Sequence, residues 1–215
     1  KAAAMTRQEV LTSILTGIDA VRVLKEQGYR LSAVGEMGIG NTTTSSAVAS
    51  VLLQKDPELV TGAGAGLDSA GLKRKTEVIR RGIGLHHPDP MDGMEVLQKV
   101  GGFDLAAMAG SFLGGAIYHV PVVIDGVIAA AAAAAARRIA PAATDYMLAA
   151  HVSAEPASIW LLDLIGVTPA IQAGLRLGEG TGALALFPLL DMALSIYRDM
   201  DTFAEMEIEE YKPLV

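Results

Sequence analysis

The sequence predicts an α/β protein: a Rossmann-like, mostly parallel sheet with helices on both faces, its βα loops forming the rim of an active site. Three observations predict it. Short apolar runs alternate with segments of helical periodicity along 215 residues, the pattern of β-α-β units. Hydrophobic residues make up 51% of the chain, with 23 glycines and only 5% aromatics, which suits close packing of helices on a sheet. Glycine-bearing loops follow the strand-like runs, where open parallel sheets bind ligands.

Taken in order, a capping box of Thr6 and Glu9 starts a helix. Leu11, Ile14, Leu15, Ile18, Val21 and Leu24 recur along it at helical spacing, and Gly28 stops it. Residues 31–34 read as a strand, 42–53 as a helix ended by Asp56-Pro57, and 59–61 as a second strand. A helix with one basic side runs from 69 to about 81, and two more follow at about 91–100 and 103–117. The clearest strand is 120–124, in V-P-V-V-I-D-G. Eight alanines at 129–136 make an Ala-rich helix that stops at Pro141. A strand at 146–150, a helix at 156–165 and an amphipathic helix from about 183 to 200 complete the chain. The loops after 31–34, 59–61, 120–124 and 146–150 should share one rim. With no internal repeat, the expectation is a single α/β catalytic domain over residues 1–215.

Composition narrows the function. A chain without cysteine forms no disulfide, thiolate metal site or Cys nucleophile, and suits a reducing cytoplasm. A net charge of −7 argues against nucleic acid and against an anionic membrane surface. The most apolar region, 103–136, is broken by Asp104, His119, Asp125 and four glycines, short of an apolar span of about 20 residues. His86 and His87 lack the partner spacing of a metal site and read as a polar loop.

The loops carry the chemistry. G-E-M-G-I-G-N at 35–41 and T-G-A-G-A-G at 61–66 both miss the dinucleotide spacing G-x-G-x-x-G, and neither ends as a P-loop. Their glycines still allow backbone N–H groups to approach an anion. Of the cations Lys73, Arg74, Lys75, Arg80 and Arg81, Lys75 is the candidate to reach a phosphate; the alternative is a solvated face. Asp125 ends an apolar strand at the rim, and His151, Ser153 and Glu155 follow another strand without a G-x-S-x-G elbow. In G-E-G-T-G at 178–182, Glu179 lies between glycines beside Leu175 and Leu177, and an apolar surround would suit that acid to proton abstraction. The two acid-bearing glycine loops are expected to form one site, one handling an anion and the other a proton.

Six segments together resemble the nicotinate-nucleotide:dimethylbenzimidazole phosphoribosyltransferase family. They are G-E-M-G-I-G-N-T-T-T at 35–44, T-G-A-G-A-G-L-D-S-A-G-L-K-R-K at 61–75, G-G-F-D-L-A-A-M-A-G at 101–110, P-V-V-I-D-G at 121–126, H-V-S-A-E-P at 151–156 and R-L-G-E-G-T-G-A at 176–183. They keep the family's order and cover essentially the whole chain. The family's enzymes are longer, and the resemblance implies that their N-terminal third, part of the benzimidazole pocket, is missing here. The eight alanines stand where the family has a mixed small and polar helix. The resemblance implies transfer of the phosphoribosyl group of nicotinate mononucleotide to 5,6-dimethylbenzimidazole, giving α-ribazole 5′-phosphate and nicotinate, in a cytoplasmic homodimer without cofactor or metal. It makes Glu179 the catalytic base. Glu36 would face the sugar or the charge at C1′, while Gly38, Gly40, Gly64 and Lys75 serve the phosphate. Met37, Asp125, Ser153 and Leu177 complete the substrate contacts it implies, with a phosphoribosyl hydrogen bond from Ser153. A nucleotide-binding relative without turnover is the alternative.

Overall fold

A computed structural model describes residues 2–64 and 66–209. The sheet has three parallel strands in the order β1 (Ser32–Val34), β2 (Val122–Ile124) and β3 (Met147–Ala149). Register pairs Ala33 with Val123 and Val123 with Leu148, which aligns the carboxyl ends of all three strands. Alternation along β2 sends its side chains to two faces. Val122 and Ile124 enter the large core, whereas Val123 packs with Ala150, Ala183 and Leu186 on the other side. Helices therefore cover both faces, as the alternation of elements predicts.

The large core is helical. Helix α1 (Arg7–Glu26) begins at the Thr6–Glu9 capping box, with both reciprocal bonds formed. It lies along α6 (Phe103–Tyr118) through glycine contacts: a Cβ on Gly17 would overlap the Ala107 carbonyl, and one on Gly110 the Ile14 carbonyl. Helix α2 (Thr42–Leu53) follows the first glycine loop. Helices α4 (Ser69–His86) and α5 (Gly93–Val100) start at the side-chain caps Asp68 and Asp92. The alanine run falls in α7 (Val127–Ile139), and all eight alanines are buried. A helix wrapped by α2, α5, α6 and α8 (Ser158–Ile165) needs small residues on every side, which accounts for a run without an amphipathic stripe. Helix α9 (Thr181–Asp199) covers the opposite face of the sheet.

The expected strand at 59–61 is instead part of a short helix, α3 (Pro57–Val60). Asp56 accepts from the Glu58 N–H at 2.8 Å and Pro57 occupies the first helical turn. Asp-Pro thus opens a helix rather than closing the one before it. Helix α4 also runs one turn beyond the expected residue 81, and a 3₁₀ turn, Pro141–Tyr146, precedes β3. Among the described residues no helix is long and apolar enough to cross a membrane.

Candidate functional site

The loops after the three strands converge with the 61–64 segment on a cleft of about 180 Å³. Glu36, Met37 and Gly38 line it after β1, Asp125 and Gly126 after β2, and His151, Ser153 and Glu155 after β3. Gly64 reaches it from the connection between α3 and α4, a helix-to-helix loop and not the βα loop expected there. Arg176, Leu177 and Gly178 close the far side.

The two acid-bearing glycine loops do meet. The Glu179 N–H donates to the Glu36 carbonyl at 2.9 Å, and a Cβ on Gly35 would overlap the backbone of Gly180. Gly178 and Gly180 both have φ of +78°, and Glu179 between them has φ of +58°. Glycine adopts such angles freely, whereas for Glu179 they are strained, a state that persists only where surrounding contacts impose it. Its side chain is exposed, as are Met37 and Leu177, so the apolar surround expected from Leu175 and Leu177 is not closed over it.

Asp125 is 3% exposed and organises this corner. Its Oδ2 accepts from the Gly180 N–H at 3.1 Å and its Oδ1 from the Ala183 N–H at 3.0 Å, capping the first turn of α9. The buried His151 brings Nε2 to 3.6 Å from Oδ1. Burial alone would raise the Asp125 carboxyl, but His151 and the two amides outweigh it and hold the group below the usual carboxylate range. The same carboxylate lifts His151 above the usual imidazole range against its own burial.

Lys75 stands behind the Thr42 and Gly64 side of the cleft. Lys75 is buried, unlike Lys73, Arg74, Arg80 and Arg81, so the solvated-face alternative does not hold for it. Its Nζ donates to Thr42 Oγ1 at 3.0 Å and to the Gly62 carbonyl at 3.1 Å. Burial pushes its ammonium below the usual lysine range, opposed by the nearby Glu155 carboxylate. Gly64 permits this approach: a Cβ there would lie 2.9 Å from Thr42 Oγ1 and 3.5 Å from Lys75 Nζ. Two helix N-termini without side-chain caps, those of α2 and α7, also border the cleft through Thr42 and through Gly126–Ala129. Free amides at two helix ends beside a lysine are suited to an anion. Ser153 is buried and donates its N–H to Ser158 Oγ at 2.9 Å, while its own hydroxyl accepts from the Glu155 N–H at 3.4 Å. Gly40 lies exposed in the loop before α2 and does not line the cleft.

Of the residues named from sequence, Glu36, Met37, Gly38, Gly64, Asp125, Ser153 and Leu177 share this cleft, Lys75 backs it, and Glu179 stands at its edge. Thr42 and His151 join the site without having been assigned a role in it from sequence. Both carried a signal, Thr42 as the first residue after a glycine loop and His151 as the second residue beyond a strand end.

A phosphoribosyltransferase family model matches residues 1–208. The nicotinate-nucleotide–dimethylbenzimidazole phosphoribosyltransferase of Ruminiclostridium cellulolyticum is 49% identical over 214 residues, covering 100% of this chain and 61% of that protein. The protein of the same name from Clostridium acetobutylicum is 48% identical with the same coverage. The crystal structure of CobT from Thermus thermophilus superposes with a TM-score of 0.90 at 39% identity, covering 97% of this chain and 62% of that one. The chain thus spans about three fifths of the length of these relatives.

Proposed function

The chain belongs to the nicotinate-nucleotide–dimethylbenzimidazole phosphoribosyltransferase family, and we propose that it forms, as one α/β catalytic domain, the donor-binding and proton-accepting part of such an enzyme. The reaction moves the phosphoribosyl group of nicotinate mononucleotide to 5,6-dimethylbenzimidazole, giving α-ribazole 5′-phosphate and nicotinate. One observation carries the reading. Lys75, behind Thr42 and Gly64, and two helix ends without side-chain caps border the same cleft as the two acid-bearing glycine loops.

That polarity matches the donor, which has a phosphate at one end and a cationic pyridinium at the other. Lys75 and the amides of Gly38, Gly64 and the α7 N-terminus hold the phosphate, and Ser153 hydrogen-bonds the phosphoribosyl group. Glu36 faces C1′, where positive charge grows as the C1′–N bond to nicotinate breaks. The pyridinium nitrogen keeps the electron pair of that bond and leaves as neutral ring nitrogen. One benzimidazole nitrogen forms the new bond to C1′ from the opposite side, which inverts the centre, and the N–H of the other passes its proton to Glu179. Met37 and Leu177 offer the acceptor apolar contact. Asp125 holds the loop that carries the base.

We assign the working form to a cytoplasmic homodimer. The exposed Leu184, Met192, Leu194, Ile196 and Tyr197 on α9 support assembly of two copies, which sedimentation equilibrium measures. The reaction itself is tested by chromatography: nicotinate mononucleotide and dimethylbenzimidazole, incubated with the protein, should yield α-ribazole 5′-phosphate and nicotinate in equal amounts. Nicotinate released without the α-riboside would reject the transferase reading in favour of hydrolysis, and intact donor would favour a binding protein.

A further inference from the structure

The buried pair of Asp125 and His151 lies outside the steps just described, and its geometry reaches the residue assigned as base. We propose that His151 is a positioning residue: it orients the Asp125 carboxylate so that Asp125 clamps the first turn of α9, and through that turn it keeps Glu179 at the edge of the cleft. This inference rests on the transferase reading for its kinetic consequence, though not for its geometry.

Four contacts support it. First, the imidazole is 4% exposed, and Asp125 is the one ion-pair partner it has among the described residues. Its ring is also favoured in the protonated form by the Val152 backbone beside it, so it sits here as a polar group and not as filler. Packing alone would be served better by a hydrocarbon. Second, the ring lies close enough against Gly182 that any Cβ there would overlap Cδ2 and Nε2, which ties the G-T-G turn of α9 to a ring at this position.

Third, both Asp125 oxygens bind the same turn, Oδ2 through Gly180 and Oδ1 through Ala183, and His151 approaches Oδ1 from outside it. The two amides hold one oxygen each, and the imidazole, 3.6 Å from Oδ1, closes the remaining side of the carboxylate. Fourth, His151 is itself held: it forms a parallel bridge with Ile171, and the Val152 N–H donates to the Ile171 carbonyl at 3.1 Å. The chain of contacts therefore runs from β3 through His151 to Asp125 after β2, into α9, and through the Glu179 N–H to Glu36 after β1. The other charged groups lining the cleft are Glu36 after β1, Glu155 after β3 and Arg176 before α9; Lys75 on α4 is bound to Thr42 and Gly62. None of these pairs with Asp125 or His151 among the described residues.

The test is a pH titration of the Gly180 and Ala183 amide resonances in the protein and in His151→Asn and His151→Gln. In the unchanged protein both amides should report an acid-side midpoint as Asp125 takes up its proton, and the His151 ring nitrogens, whose own protonation comes at higher pH, should register that same acid-side step as a second inflection. His151→Asn should raise that midpoint by about one pH unit, a roughly tenfold gain in proton affinity, and His151→Gln should raise it less because its longer side chain keeps a donor within reach. A group that merely fills space leaves the midpoint where it was. In the phosphoribosyl transfer, His151→Asn should lower kcat about tenfold with KM for nicotinate mononucleotide changed less than about twofold. An unmoved amide midpoint in both variants overturns the proposal. If both variants unfold, an acid-side step at the Gly180 and Ala183 amides that the His151 ring nitrogens fail to register overturns the proposal, and one that they register upholds it. If the unchanged protein transfers no phosphoribosyl group, the transferase reading fails while the titration still decides the role of His151.

Discussion

Replacing Glu179 with Gln keeps length and hydrogen bonding but removes the ability to take a proton. General-base catalysis contributes about 10²–10⁴-fold, so turnover should fall by that order while donor affinity stays near its starting value. An acceptor with a more acidic N–H should narrow the loss, and a variant with near-normal turnover across acceptors would transfer the role to Glu36. Lys75 tests the other wall. A charge-assisted contact to phosphate is worth roughly 1.5–3 kcal/mol, so Lys75→Ala should weaken nicotinate mononucleotide by about 10–100-fold and spare nicotinate riboside. Equal losses for both ligands would place Lys75 in a packing role. These two residues also mark what the sequence revealed and what it hid. Glu179 was legible because glycines flank it, and the structure adds its strained φ of +58°. That Lys75 alone of five neighbouring cations is buried was not legible, because burial depends on Thr42 and Gly62, 33 and 13 positions away in the chain. The pairing of His151 with Asp125 was not legible for the same reason, since the two follow different strands.

At the level of elements, glycines divide into those that admit a neighbour and those that do not. Gly110 on α6 lets the backbone of α1 approach, and a Cβ there would strike the Ile14 carbonyl, so Gly110→Ala must separate two helices. Overpacking of this kind costs about 1–3 kcal/mol, which a urea melt should register as a lowered midpoint. Gly82 on α4 has open space around its missing Cβ, and Gly82→Ala should stabilise the fold by about 0.4–1 kcal/mol through the unfolded chain, which raises the midpoint. Opposite signs for one chemical change would confirm that the α1–α6 seam is set by backbone contact; equal signs would refute it. Periodicity made the long helices legible, and their caps set their starts. It failed at residues 59–61, where three apolar and β-branched residues look like a strand but Asp56 and Pro57 supply a helix cap and first turn. It also carried no information along α7, because a helix buried on every side has no polar face to repeat.

Across the whole molecule the cleft is unevenly finished. The wall assigned to phosphate is closed: Lys75 and Ser153 are buried, and Gly64 packs against Thr42. The wall assigned to the acceptor is open, with Met37 at 60% and Leu177 at 69% exposure and the Glu179 side chain in solvent. At about 180 Å³ the cleft is also smaller than the roughly 300–1,000 Å³ that enclose a typical small ligand. A flat aromatic base gains most of its affinity from burial of apolar surface, at about 25 cal/mol per Å², and an open wall forfeits that gain. A phosphate gains its affinity from fixed donors, which are already in place. The chain spans about three fifths of its relatives' length. By calorimetry this 215-residue chain should therefore bind nicotinate mononucleotide measurably and 5,6-dimethylbenzimidazole at least about tenfold more weakly. Lys75→Ala should weaken the first by about 10–100-fold and leave the second unchanged. Equal affinity for the two ligands would mean that the exposed loops around Glu179 already form a complete acceptor site, and the division of the cleft into a closed donor wall and an open acceptor wall would have to be given up.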